Sequence, residues 1–310
     1  MPDTEKKDGA PAPSALRKSA VVAIIGRPSA GKSTFLNTAC GEKVSIVSPV
    51  PQTTRNAIRG IVNGSRGQLV FVDTPGYHDS DKKLNLRLKS IAHDRLGESD
   101  VILYLIDASR EAGKEEETIA SLLAPVADRL VIAINKIDLP AAKPVMTRLF
   151  LSRVLPAVPE SRIFEISAEK DTNIDPLLIA LFDLSPEGEC LYPTEFYTDQ
   201  DVDFRIAEVV REKAMLNTRE EIPHSLYVDI SDMEMRKNGK ELWVRAFLIV
   251  ERESQKSMVI GKGATLIKKI RTEALHDLNK IFPYRIYLDL QVKVNKNWRQ
   301  KDPILGRILR

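Results

Sequence analysis

The 310-residue sequence predicts an α/β domain built on a mostly parallel sheet, followed by a smaller α+β domain. Three observations carry that expectation. Between Ala20 and Leu184, short β-branched runs alternate with longer helical stretches, the order that yields parallel strands with helices on both faces. From Ser185 to Asp201 the alternation stops, and Pro186, Gly188, Pro193 and several acids take over without periodicity. Beyond that point the order becomes helix, two strands, a helical region broken by glycines and a last strand, which fits a small sheet with helices on one face.

The first domain contains six strand-like runs, Val21 to Gly26, Ile58 to Asn63, Gln68 to Asp73, Val101 to Asp107, Leu130 to Asn135 and Arg162 to Ile166. Helical periodicity follows Gly31, runs through Leu84 to Leu96, and returns at Glu115 to Leu123, Pro144 to Leu155 and Pro176 to Leu184. In the second domain a helix over Val202 to Leu216 precedes strands at Ser225 to Asp232 and Glu241 to Glu251, joined through the turn signal Asn238-Gly239. Gly261 and Gly263 interrupt the next helical stretch, and the last strand runs from Arg285 to Val294. The expected division is a flexible tail over 1–19, a first domain over 20–187, a linker over 188–200, a second domain over 201–300 and a tail over 301–310.

Composition narrows the classes. At 43% hydrophobic and 29% charged the chain is globular rather than disordered or fibrous. Its longest apolar runs, Ala20 to Ile25 and Val101 to Ile106, fall far short of the roughly 20 residues of a membrane span. The charged, proline-bearing N-terminus has no apolar core of a secretory type, so a cytoplasmic protein is expected. Cys40 and Cys190 form no C-x-x-C pair, and the four histidines show no metal spacing, which argues against a disulfide framework or a zinc site. Charge is uneven: residues 201–310 hold 22 basic and 16 acidic side chains, and within them 256–310 hold 13 and 4, a surface that attracts phosphates.

Gly26-Arg27-Pro28-Ser29-Ala30-Gly31-Lys32-Ser33, followed by Thr34, has the phosphate-loop pattern directly after a strand and directly before a helix. Glycines let backbone N–H groups curl around phosphates, Lys32 reaches the β- and γ-phosphates, and Ser33 suits a magnesium ion. Asp73-Thr74-Pro75-Gly76, with Tyr77 next, closes the third strand, where Asp73 can hold the water shell of the metal and the Gly76 N–H can meet a γ-phosphate. Asn135-Lys136-Ile137-Asp138 closes a later strand; Asp138 can accept from guanine N1 and N2 while Lys136 covers the base, which selects GTP over ATP. The Ala168 N–H in Ser167-Ala168-Glu169 can reach guanine O6. Each of the last three motifs alone reads as an ordinary loop, but four at the carboxyl ends of parallel strands converge on one pocket.

With these motifs the sequence resembles the translation-factor-related GTPases, and within them the group that carries a C-terminal KH domain. Gln52-Thr53-Thr54-Arg55 is similar to that group's first switch segment, which implies that Thr54 is the second magnesium ligand. The second half extends the resemblance through Thr218 to Ser225, Glu251 to Lys262 and Leu288 to Val294 with Trp298. It implies a type II-like KH fold in which Gly261-Lys262-Gly263-Ala264 brings the RNA backbone close, with Lys256, Lys268, Lys269 and Arg271 meeting phosphates. The implied cofactors are GTP or GDP and Mg2+. The implied partner is the 3′ region of small-subunit ribosomal RNA, and the implied task is maturation of that subunit, by a monomer that does not engage DNA.

Three residues depart from the group's pattern. Ala264 stands where glycine is usual, and Ser29 where asparagine is linked to potassium-assisted catalysis. Tyr77 stands where Ras-like GTPases use a glutamine to orient water, so catalysis is expected to rest on Lys32, Thr54, Asp73, Gly76 and the metal, with slow intrinsic turnover. Trp243 and Trp298, with Phe247 and Tyr287, read as strand packing. Two alternatives stay open at this level. The basic segment also suits anionic lipid, which gives a GTP-controlled protein at the inner face of the cell membrane, with weak peripheral attachment compatible with RNA binding. A nucleotide-binding RNA scaffold without significant turnover is the other.

Overall fold

The computed structural model describes residues 17–48, 53, 55–56, 58–73 and 97–308. Nearly continuous apolar runs form strands buried on both faces. β3 (Gly67–Asp73), β4 (Val101–Asp107) and β5 (Leu130–Asn135) are buried at every residue. With β1 (Lys18–Ile25), β2 (Ile58–Gly64) and β6 (Ile163–Glu165) they make one sheet in the order β2-β3-β1-β4-β5-β6, antiparallel only between β2 and β3.

Helices cover both sides. α1 (Lys32–Cys40) and α4 (Ile174–Leu184) pack with Phe35, Leu36, Leu177 and Leu181 on one face. α2 (Lys114–Leu123) and α3 (Pro144–Val154) close the other with Ile119, Leu123, Phe150 and Leu151. All five loops that carry or flank the motifs leave the carboxyl ends of β1, β3, β4, β5 and β6, because parallel strands joined by right-handed crossovers point the same way.

The stretch between the sheets is a strap along the outer edge of β2. Ile61 N–H donates to the Tyr197 carbonyl at 2.9 Å, Asn63 Nδ2 to the Thr194 and Phe196 carbonyls at 3.0 Å, and buried Gln68 exchanges bonds of 2.8 and 2.9 Å with the Tyr192 backbone. These bonds occupy an edge that would otherwise be free to pair.

The second sheet has the order β7 (Tyr227–Arg236), β8 (Glu241–Val250), β9 (Arg285–Val294), antiparallel then parallel. α5 (Val202–Asn217), the short α6 (Ile222–Ser225), α7 (Glu253–Ile260) and α8 (Thr265–Ile281) gather on one face around Val210, Val244, Ala274, Leu278, Val259 and Ile270.

Some expectations change. β1 starts at Lys18, inside the stretch read as a tail, because Lys18 and Ser19 pair with Gly67 and Gln68. Residues 302–308, also read as tail, form α9 (Asp302–Ile308), whose Leu305 is fully buried against Tyr227, Ile249 and Trp298. Trp298 lies in a 3-10 turn after β9 rather than in a strand. The helix expected over Leu84 to Leu96 falls outside the described residues. No helix among the described residues is long and apolar enough to cross a membrane.

Candidate functional site

The phosphate loop leaves β1 at Gly26, where a Cβ would stand 2.3 Å from the Leu105 carbonyl of the neighbouring strand. At Gly31, with φ +98°, a Cβ would meet Asn135 Nδ2 at 2.3 Å. Both positions therefore admit only glycine. Between them Pro28, Ser29 and Ala30 turn the chain, with Ser29 left-handed at φ 64° and Ala30 fully buried. Lys32 Nζ donates to the Gly26 and Arg27 carbonyls at 3.0 and 3.1 Å, so its ammonium lies inside the loop it serves. Burial pushes that ammonium below its ordinary value, while Asp73 and Glu116 pull it back up.

Asp73, at the end of β3 and fully buried, accepts from Ser33 Oγ at 2.6 Å and from Ser45 Oγ at 3.2 Å. Thr34 follows in the first turn of α1. Asn135 ties the two ends of the pocket together: Nδ2 donates to the Ala30 carbonyl at 2.9 Å, and Oδ1 accepts from the Ala168 amide at 3.0 Å. Lys136, left-handed at φ 68°, reaches Asp107 Oδ2 at 2.8 Å. Burial pushes the Asp107 carboxyl up, but hydrogen bonds from Lys136 and Ser109 outweigh it and hold the group below its ordinary value. Ser167 Oγ donates to the exposed Asp138 carboxylate at 2.6 Å and fixes its orientation. Thr54, Thr74, Pro75, Gly76 and Tyr77 lie outside the described residues.

Sequence reasoning missed a buried group behind the loop. Arg27 Nε faces Glu116 Oε1 at 3.0 Å, the Tyr104 hydroxyl donates to Glu116 Oε2, and Arg27, Tyr104 and Glu116 are each at most 4% exposed. One signal was present. Glu116 shares the stripe of Ile119, Ala120 and Leu123 along α2, where a carboxylate needs a partner. Also missed was the hold of the second domain on residues before and after Thr54, by α5 on Lys43, Val47 and Thr53 and by the Leu226 carbonyl on Arg55. Glu212 Oε2 meets Lys43 at 2.5 Å and its Oε1 accepts from Val47 N–H at 2.9 Å. Arg211 Nη2 donates to the Thr53 carbonyl at 2.6 Å, and Arg55 Nη1 donates to the Leu226 carbonyl at 2.8 Å.

In the second domain Gly261-Lys262-Gly263-Ala264 joins α7 to α8. Ala264 takes φ 61°, the left-handed region in which its Cβ is strained. Lys262, Lys268, Lys269 and Arg271 are exposed and Lys256 half-buried, and Arg271 Nε is anchored on the Leu288 carbonyl of β9 at 2.7 Å. The arrangement places a glycine-bearing turn beside several exposed cations.

Two family models match the chain, one described as a 50S ribosome-binding GTPase over residues 21–136 and one as a KH domain over residues 221–299. The GTPase Era of Treponema denticola is 64% identical over 290 residues, covering 94% of this chain and 99% of that protein. The GTPase Era of Borreliella burgdorferi is 44% identical over 292 residues, covering 94% and 99%. A crystal structure of Era in complex with MgGDPNP and nucleotides 1506–1542 of 16S ribosomal RNA matches with a TM-score of 0.88 at 36% identity, over 94% of this chain and 98% of that one. A variant of Aquifex aeolicus Era bound to GDP and AlF4− gives the same values.

Proposed function

Because the chain belongs to the Era family of GTPases, we propose that it hydrolyses GTP with Mg2+ and uses its nucleotide state to control how the second domain holds small-subunit ribosomal RNA during maturation of that subunit. The observation that carries this reading is the Asn135 side chain, whose bonds to Ala30 and Ala168 make the phosphate loop and the base-reading loops one pocket.

In that pocket the loop backbone and Lys32 take the phosphates, Lys136 covers the guanine, Asp138 accepts from its N1 and N2, and the Ala168 N–H, which donates to Asn135 Oδ1, would share its hydrogen with O6 when the base is bound. Ser33 and Asp73, with oxygens 2.6 Å apart, are a hard-oxygen pair that suits Mg2+, and Thr54 is the proposed second ligand. Bound there, the metal supplies charge neutralisation at the β- and γ-phosphate oxygens. Lys32 stabilises the same developing charge, and the Gly76 N–H is proposed to join it. The reading carries over the RNA named in the relative's complex and assigns it to the turn at 261–264 and its lysines. We read the protein as a cytoplasmic monomer.

Coupling runs through α5. Ordering of the segment around Thr54 by the γ-phosphate would pull on residues that Glu212 and Arg211 already hold, and so shift the second domain.

Phosphate release by the full chain tests the reaction: GTP but not ATP is turned over, and chelation of Mg2+ stops it. Asp138→Asn should exchange GTP for xanthosine triphosphate, because the donor and acceptor at that position are reversed. Binding to a small-subunit RNA 3′-end oligonucleotide and a scrambled control, with GDP and a non-hydrolysable GTP analogue, tests the switch. Equal, salt-sensitive binding of both RNAs in both states would reduce the second domain to a general basic surface.

A further inference from the structure

The second sheet has one face under helices and one without. Along β8, Leu242, Val244, Ala246 and Leu248 turn toward α5 and α8, so Trp243, Arg245 and Phe247 turn the other way. Phe247 lies beside the cluster of Tyr227, Ile249, Trp298 and Leu305, which covers that end of the face. The other end is open. Trp243 pairs in register with Tyr287 on β9, so two rings stand side by side on neighbouring strands. Tyr287 is 38% exposed, Trp243 is half-buried, and neither belongs to an apolar cluster of the domain. Both rings pair across neighbouring strands, as expected of strand packing, but on the face that the helices leave uncovered.

Guanidinium groups lie over these rings. Arg236 and Arg245 are 5.1 and 4.9 Å from the Trp243 centroid, and Arg285 is 5.1 Å from that of Tyr287. Glu234 pairs with Arg236 at 2.5 Å and Asp289 with Arg245 at 3.1 Å, so two of the cations carry an acidic partner. The charges nearly cancel, which leaves a surface whose attraction for a ligand is stacking more than ion release. Flat rings and the planar cations packed on them offer stacking surfaces to nucleobases beside them.

We propose that this open face is a second contact for single-stranded RNA, in which unpaired bases stack beside Trp243 and Tyr287 on the guanidinium planes of Arg236, Arg245 and Arg285 and on the exposed part of the Tyr287 ring. The proposal rests on the reading of the second domain as an RNA binder. RNA is favoured as occupant by continuity with the lysine-bearing turn. Arg271, from the helix that follows that turn, is bonded to the carbonyl of Leu288, the residue next to Tyr287 on the edge strand β9. One strand therefore separates the two surfaces, and a chain longer than the roughly four nucleotides a KH groove clamps has bases left to place.

The test compares the full chain, Trp243→Thr with Tyr287→Thr, and Lys262→Asp, against unstructured RNAs of about six and about sixteen nucleotides. Threonine keeps strand propensity at both sites. Lys262→Asp should weaken both RNAs. The double variant should weaken only the longer one, by roughly tenfold, with an unchanged salt slope. Trp298 is fully buried, so fluorescence quenching by the longer RNA should report Trp243 and vanish in the variant. Undiminished binding by the double variant, absence of quenching, or equal losses on both RNAs would overturn the platform alone. Failure of the unaltered protein to bind either RNA would remove the RNA reading, and this proposal with it.

Discussion

Glu116 shows how one carboxylate can set the shape of a phosphate loop. It is fully buried, and Arg27 reaches it from the loop while Tyr104 reaches it from β4. Removing one member of a buried ion pair costs about 3–5 kcal/mol. Glu116→Gln keeps the shape and strands the Arg27 charge, so GDP affinity should fall about tenfold, measured by nucleotide titration. Burial pushes the Glu116 carboxyl up against the opposing pull of Tyr104 and Arg27. A raised carboxylate makes the folded state the better proton binder, so this group's stability contribution falls as pH climbs from the unfolded value of 4.5 through the folded one. The glutamine variant should lack that slope, and identical slopes would sink the argument. Ala264 yields a second residue-scale expectation. A left-handed alanine costs about 1–2 kcal/mol, and glycine gives back part of it through a freer unfolded chain, so Ala264→Gly should stabilise by roughly 0.5–1 kcal/mol in urea unfolding. The phosphate loop was legible because its chemistry is contiguous. The Arg27, Tyr104 and Glu116 group was not, because three distant segments supply it.

At the scale of elements, β-branched runs and helical periods found nearly every described strand and helix, since burial on both faces of a strand or on one side of a helix leaves its mark on neighbouring residues. The C-terminal helix escaped. Seven residues opening on Asp302-Pro303 carry too few apolar positions to show a period, and Leu305, with Ile304 partly buried beside it, marks the buried side. Leu305→Ala should cost about 2–4 kcal/mol, read from the unfolding midpoint of the second domain, because Tyr227 and Trp298 lose their cover. A loss under about 0.5 kcal/mol, the range of a surface substitution, would return the segment to a tail. The strap over β2 escaped for another reason: its bonds to Asn63, Ile61 and Gln68 use its own backbone, which has no sequence signature.

For the whole molecule the decisive contact is between α5 and the residues around Thr54. Lys43 and Lys213 face Glu212 and Asp277 at 2.5 to 3.1 Å, with Glu212 almost wholly buried. Burial pushes Asp277 up, but Lys213 and Lys43 more than reverse it, so its contribution is present above pH 3.8 and lost as pH falls through its lowered folded value. Burial likewise pushes Lys213 down, and Asp277 and Glu212 reverse it, so that contribution is present below 10.5 and lost as pH rises through the raised folded value. The cluster therefore holds across the neutral range. Glu212→Ala should bring the ratio of RNA affinities with the GTP analogue and with GDP toward one, and an unchanged ratio would exclude this route. By itself the sequence determined the order of an α/β and then an α+β domain, the motif-bearing loops at the carboxyl ends of the strands and the lysine-bearing turn, because each is written in contiguous residues. Only the tertiary structure decided that Glu116 backs the phosphate loop, that α5 holds Lys43, Val47 and Thr53, and that Trp243 and Tyr287 lie on the uncovered face of the second sheet. Those outcomes depend on which side of an element meets which neighbour, and packing sets that between residues far apart in the chain.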